Sequence, residues 1–286
     1  MFRAMKKAET FHPQKWFEED KNAHGYDGPL HIEPAPCGPL GDLFLENYQS
    51  KGLEYHPDMF SSGVTANGCG HAMRTTWQGT RTTAADYITK DHKRSNVTIT
   101  CHATVDKVIL EKDSDGLLVA KGVEYLDDSG NRHKVYARKE VLLSGGTYGS
   151  PAMLLRSGIG PREELEKLNI PVHVDLPGVG KNLQDHQLIF VYYELNQPGL
   201  TDDPRVNHDP NAYENGAREW KEKKTGWLAQ FPFGSFAFAR LADRLEAENE
   251  EWRNFPRKAG RDAMDLCDTQ PNLEFFHTVC YGGPPE

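Results

Sequence analysis

The chain has 286 residues, 37% of them apolar and 26% charged, which is enough to bury one large core or two ordinary ones. Its formal net charge of −9 excludes a general affinity for nucleic acid or for an anionic membrane surface, and no apolar run is long enough to span a bilayer. Five cysteines, widely spaced and without a CxxC pair, predict buried free thiols and not a disulfide framework or a zinc site.

In chain order, the basic opening Met1 to Thr10 lacks the apolar stretch of a secretory signal and predicts an amphipathic helix. Leu40 to Lys51 places Leu40, Phe44 and Tyr48 on one face, with Leu43 beside them and Gly52 positioned to end the helix. Met59 to Arg74 is rich in Ser, Gly, Asn and His and reads as a long irregular loop. From Asn96, which opens a glycosylation sequon, the texture becomes strand-like. Val97 to Cys101, Val105 to Leu110, Leu117 to Tyr125 and His133 to Ala137 are separated by the turn pairs Asp115-Gly116 and Ser129-Gly130, which predicts an antiparallel meander. Val141 to Ser144 then reads as a buried strand.

Ser144 to Gly160, SGGTYGSPAMLLRSGIG, is the most specific stretch. Ser150 has the character of an N-cap and Pro151 of a first helical residue, Ala152 to Arg156 favour helix, and Gly158 is a natural stop. A strand, a glycine turn and a helix start direct backbone N–H groups outward, where a phosphate can sit. The competing explanation is that Gly145, Gly146 and Gly149 only let helix and sheet pack closely.

Further on, Pro161 to Glu164 begins a short helix. Ile189 to Leu195 alternates like a strand, Asp202 to Lys224 is polar surface, and Phe231 to Phe238 restores aromatic character. Arg244 to Arg257 reads as a solvated helix.

Position for position, Gly146-Thr147, Ser150-Pro151, Met153-Leu154 and Ser157-Gly158-Ile159-Gly160 resemble the second signature of the glucose-methanol-choline (GMC) flavin oxidoreductases. FRAMKKAETF at Phe2 to Phe11, HGYDGPL at His24 to Leu30, GTRTTAADYI at Gly79 to Ile88 and DLPGVGKNLQDH at Asp175 to His186 resemble further segments of that family, in the same order. The resemblance implies a mixed α/β fold: part of an FAD-binding Rossmann-like domain with an antiparallel meander, plus part of a substrate domain built on an antiparallel sheet with helices. It implies residues 1–93 as the first part of the substrate region, 94–185 as part of the FAD domain and 186–286 as more of the substrate domain. FAD is the implied cofactor. Val105, matching the family's Ala-Thr-Val stretch, is implied to meet the adenine through its backbone, and Gly145, Gly146 and Ser150 to lie against the cofactor.

The implied reaction is oxidation of a CH–OH group on a small-molecule alcohol, in which a base takes the hydroxyl proton and the flavin takes the hydride. The family's GxGxxG unit and its C-terminal catalytic histidine have no match in these residues. The chain is therefore expected to be an internal piece of a longer enzyme, inactive alone, with no catalytic or metal-ligating residue assigned. A lyase on the same flavin fold and a non-enzymatic remnant that binds no cofactor are the alternatives. Among the twelve histidines, His186 beside Asp185 invites a catalytic role, but a structural hydrogen bond is the simpler expectation. Trp77 and Arg81 can face a flavin or a substrate, or can be ordinary packed residues. Substrate, acceptor, oligomeric state and localisation are not specified by the sequence.

Overall fold

The computed structural model describes residues 1–63, 65–88, 95–229 and 233–280. The expected boundary at 93–94 and the terminal Gly282 to Glu286 lie outside them. The chain is mixed α/β and divides into two compact units, one formed by residues 1–94 and 191–286 and the other by Ser95–Phe190.

The first unit contains two three-stranded sheets among the described residues. The helix Phe2–Ala8 runs directly into the strand Glu9–Phe11, which pairs parallel with Leu30–Pro34; Met73–Arg74 joins the far side of Leu30–Pro34 antiparallel. The second sheet is antiparallel and places Phe233–Ala239 between Gly68–His71 and Leu273–Thr278. Against it packs the helix Gly38–Ser50, which has Pro39 in its first turn and buries Leu40, Leu45 and Tyr48. Leu45 and Tyr48 form a core cluster with Cys37, Cys69 and Ala237.

The expected loop from Met59 to Arg74 is thus partly ordered, with a short helix Met59–Ser62 and a fully buried strand Gly68–His71. Small residues suit that strand because a side chain at Gly70 would strike the His56 carbonyl at 2.5 Å. Arg244 to Arg257 is not one helix but two, Ala242–Glu248 and Glu250–Asn254. Asn249 breaks them apart and caps the second through its side chain, which accepts the Trp252 N–H.

The second unit is built on the expected meander, Thr104–Lys112, Leu118–Leu126 and Arg132–Tyr136. Its two turns are closed by aspartates. The Asp113 carboxylate accepts the N–H groups of Asp115 and Leu117, and Asp127 repeats the device for Ser129 and Asn131. Val97 to Cys101, Val141 to Ser144 and Ile189 to Leu195, each expected as a strand, form no ladder; Leu142 is 79% and Ile189 87% exposed. An apolar run becomes a strand only where a neighbour completes its hydrogen bonds, and none of the described segments does so here.

After the meander come the helix Gly146–Arg156, the strand Ile159–Gly160 paired parallel with Val174–Asp175, and the short helix Arg162–Lys167, which buries Leu165 completely. Of the cysteines, Cys37 and Cys69 are buried, Cys267 and Cys280 are half-buried, and Cys101 is exposed, which corrects the expectation of five buried thiols.

Candidate cofactor-binding site

The site lies within the second unit, where the signature helix packs on the edge strand of the meander. The helix begins earlier than the sequence suggests. Gly145 is the N-cap residue and helical hydrogen bonding starts at Gly146, so Ser150 is the fifth helical residue and Pro151 sits inside the helix. The correction has a local cause. The Ser150 hydroxyl accepts the Gly145 N–H at 2.9 Å, folding the turn back on itself from within the helix and not from its cap. Pro151 has no N–H to donate, so the Thr147 carbonyl one turn earlier loses its usual partner.

Gly145 lies at φ −80° and ψ 7°, and Gly146 follows at φ +78°. The positive φ at Gly146 turns the backbone at the helix start, where the Gly146 and Thr147 N–H groups precede the first helical acceptors while the Gly145 N–H is held by Ser150. The left-handed torsion also explains why glycine occupies position 146.

The three glycines differ in purpose. A Cβ at Gly145 would come within 2.6 Å of the Met153 methyl and 3.1 Å of the Gly149 and Ser150 backbone, so packing favours a residue without a side chain there. At Gly146 and Gly149 an added Cβ would meet no heavy atom within 4 Å. Packing therefore does not account for Gly149, and the space over the first turn is open. Its donor set, first-turn N–H groups of an eleven-residue helix, suits the phosphate of a dinucleotide.

Val105 stands on Thr104–Lys112, an edge strand in the three-stranded sheet, opposite Tyr125. A bulge interrupts the ladder between Val105 and Lys107. The helix C-terminus grips this edge. Ser157, 5% exposed, accepts the Val108 N–H at 2.8 Å and donates to the Met153 carbonyl at 2.6 Å. Arg156 donates from Nε to the Asp106 carbonyl at 2.7 Å and from Nη2 to the Val105 carbonyl at 3.4 Å. Gly158, at φ +76°, then ends the helix as expected. Val105 and the Gly145–Ser150 turn are thus held on one strand–helix pair.

Charge organises the same edge. Arg132 meets Asp106 Oδ2 at 2.9 Å and Glu124 Oε1 at 2.5 Å, while Arg156 Nε lies 3.0 Å from Asp106 Oδ1. The Arg132 hydrogen bond holds the Asp106 carboxyl below its usual range against the opposing effect of burial. Ser157 stands in the family signature without a stated role, and Arg156 and the Asp106–Arg132 pair carry no signal of this contact in the sequence. The bulge that makes them useful is a property of strand pairing and leaves no signature in composition.

Elsewhere, Asp185 accepts the backbone N–H of His186 at 2.9 Å, and both residues are exposed. That is a local turn and not an acid–imidazole pair. Trp77 stacks on His12 and His31, at 4.2 and 4.9 Å between ring centres. Among the described residues no group of three His, Cys, Asp or Glu side chains is arranged to hold a metal ion, and no helix is long and apolar enough to cross a membrane.

Comparison with known proteins places the chain in a family. An oxygen-dependent choline dehydrogenase from Pseudomonas syringae pv. syringae is 38% identical over 239 residues, covering 82% of this chain and 40% of the relative. An FAD-dependent oxidoreductase from Chaetomium thermophilum superposes with a TM-score of 0.72 at 25% identity, over 89% of this chain and 44% of that one. A formate oxidase from Aspergillus oryzae gives a TM-score of 0.80 at 22% identity over 98% of this chain and 48% of that one, a likeness of fold. The chain spans less than half the length of each of these proteins. The GMC oxidoreductase family model matches residues 1–188, well over half of the chain, and the chain accordingly belongs to the GMC oxidoreductase family.

Proposed function

We propose that this chain contributes to an FAD-dependent oxidoreductase acting on the CH–OH group of a small alcohol. Residues 94–185 supply part of the FAD domain, and residues 1–93 and 186–286 supply parts of the substrate region. The observation that carries the reading is the open glycine turn at Gly146 and Gly149, at the start of the helix that is held on the same strand–helix pair as Val105.

In this reading the Gly145–Ser150 turn receives a phosphate or ring edge of the cofactor on its first-turn N–H groups, and the Val105 backbone lies along the adenine. Ser150 keeps the turn closed through its bond to Gly145. Bound FAD supplies a hydride acceptor. The residues of this chain orient it and give the alcohol a wall to pack against, and no base is assigned among them. The choline dehydrogenase relative supports a small polar substrate.

The test is an FAD titration of the purified chain followed by flavin fluorescence and thermal unfolding, and then anaerobic addition of primary alcohols, choline among them, to the intact longer enzyme that carries this chain. Binding should raise the apparent stability, because a ligand that binds only the folded state must do so. Bleaching of the flavin band by an alcohol establishes the oxidoreductase. Bound flavin that no alcohol reduces would favour a lyase, and no shift at saturating FAD would mean a remnant without a cofactor.

A further inference from the structure

The bulge at Val105–Lys107 changes what the edge strand can offer. In a regular ladder successive carbonyls point to opposite sides, whereas a bulge turns two neighbours the same way. Here the carbonyls of Val105 and Asp106 both face one guanidinium, that of Arg156, which bonds them at 3.4 and 2.7 Å. The next residue, Ser157, takes the Val108 N–H. Two consecutive residues at the end of the signature helix thus hold three backbone groups of the strand.

The charge of Arg156 is met by Asp106 Oδ1, whose other oxygen is held by Arg132, so the guanidinium has a fixed seat. Its side chain is 43% exposed, and an ion pair that open contributes little to stability. What it contributes is geometry. A planar fork holds its N–H donors at a fixed spacing that matches two adjacent carbonyls, whereas the three donors of a lysine ammonium sit at one point on a flexible stem.

We propose that Arg156 is a positioning residue: by bridging the Val105 and Asp106 carbonyls it fixes the spacing between the bulged edge and the Gly145–Ser150 turn at the other end of its own helix. On the cofactor reading given above, on which this inference rests, that spacing is the distance between the adenine end and the turn-bound part of FAD. Arg156 therefore touches no reacting atom, and its effect is selective for the half of the cofactor that lies on the strand.

The experiment measures dissociation constants of FAD, ADP and FMN for the wild-type chain, Arg156→Met and Arg156→Lys, with thermal unfolding of each. Arg156→Met should weaken ADP and FAD on the order of fivefold while FMN stays within about twofold, and Arg156→Lys should fall between. A merely structural role would weaken all three ligands together, and Arg156→Lys provides the reading if Arg156→Met fails to fold. Wild-type binding with an unchanged ADP-to-FMN ratio in both variants overturns the role of Arg156 alone. A wild-type chain that binds none of the three ligands overturns this role together with the cofactor reading.

Discussion

His24 and Asp58 form a buried ion pair across 34 residues of sequence, with imidazole Nε2 2.8 Å from the carboxylate Oδ2. The opposite ring nitrogen, Nδ1, lies 2.5 Å from Glu9 Oε1, and the ring stacks on Phe11 at 3.8 Å between centres. A single protonated ring thereby ties the first strand to the HGYDGPL turn and to the start of the helix Met59–Ser62.

Burial alone would lower the affinity of His24 for a proton, but the hydrogen bonds to Asp58 and Glu9 outweigh it and raise the pKa from 6.5 to about 9. A raised folded-state pKa stabilises fully below 6.5, and that contribution is lost as pH climbs toward 9. We expect about 3 kcal/mol to disappear over this interval. Chemical denaturation between pH 6 and 10 measures it, and His24→Gln should flatten the alkaline limb.

His277 titrates in the opposite sense. Burial drives its pKa down to about 4, against a small opposing effect from Ser235, and its Nδ1 lies 3.1 Å from the Ser235 hydroxyl. The unfolded chain then binds the proton more readily, so stability is complete above 6.5 and declines as pH falls toward 4. The expected loss is again about 3 kcal/mol. His277→Asn should remove the part of the acid limb between pH 6.5 and 4, read by the same denaturation series.

Ser157→Ala leaves the Val108 N–H without its partner in a buried position. Such a loss costs about 1–3 kcal/mol, and the Val108 amide should exchange with solvent markedly faster in hydrogen–deuterium exchange.

Ser150→Ala removes the acceptor of the Gly145 N–H. That group is solvent-exposed, so the cost to stability should stay near 1 kcal/mol, comparable to an N-cap loss. FAD affinity should fall more than stability does, which a titration alongside thermal unfolding will separate.

Local chemistry was legible in the sequence wherever a residue acts on its near neighbours. The Asp-closed turns of the meander, the glycine stop at Gly158 and the helix Gly38–Ser50 follow from side chains within a few positions of one another. The readings that failed depended on distant partners. Val141 to Ser144 has the composition of a buried strand, yet strand character is a property of pairing. Ser150 has the chemistry of a cap, yet its hydroxyl bonds backward from inside the helix because the left-handed turn at Gly146 brings Gly145 within reach. The grip of Arg156 and Ser157 on the strand joins residues about 50 positions apart and needs a bulge that no propensity encodes.

Gly149 separates two pressures that usually coincide. In a helix interior, glycine is less favourable than alanine by about 0.5–1 kcal/mol, and here no neighbour would object to the methyl. Gly149→Ala should therefore yield a sturdier protein with a poorer grip on its ligand. On the cofactor reading, the choice of residue at this position answers to the molecule that is held and not to the fold that holds it.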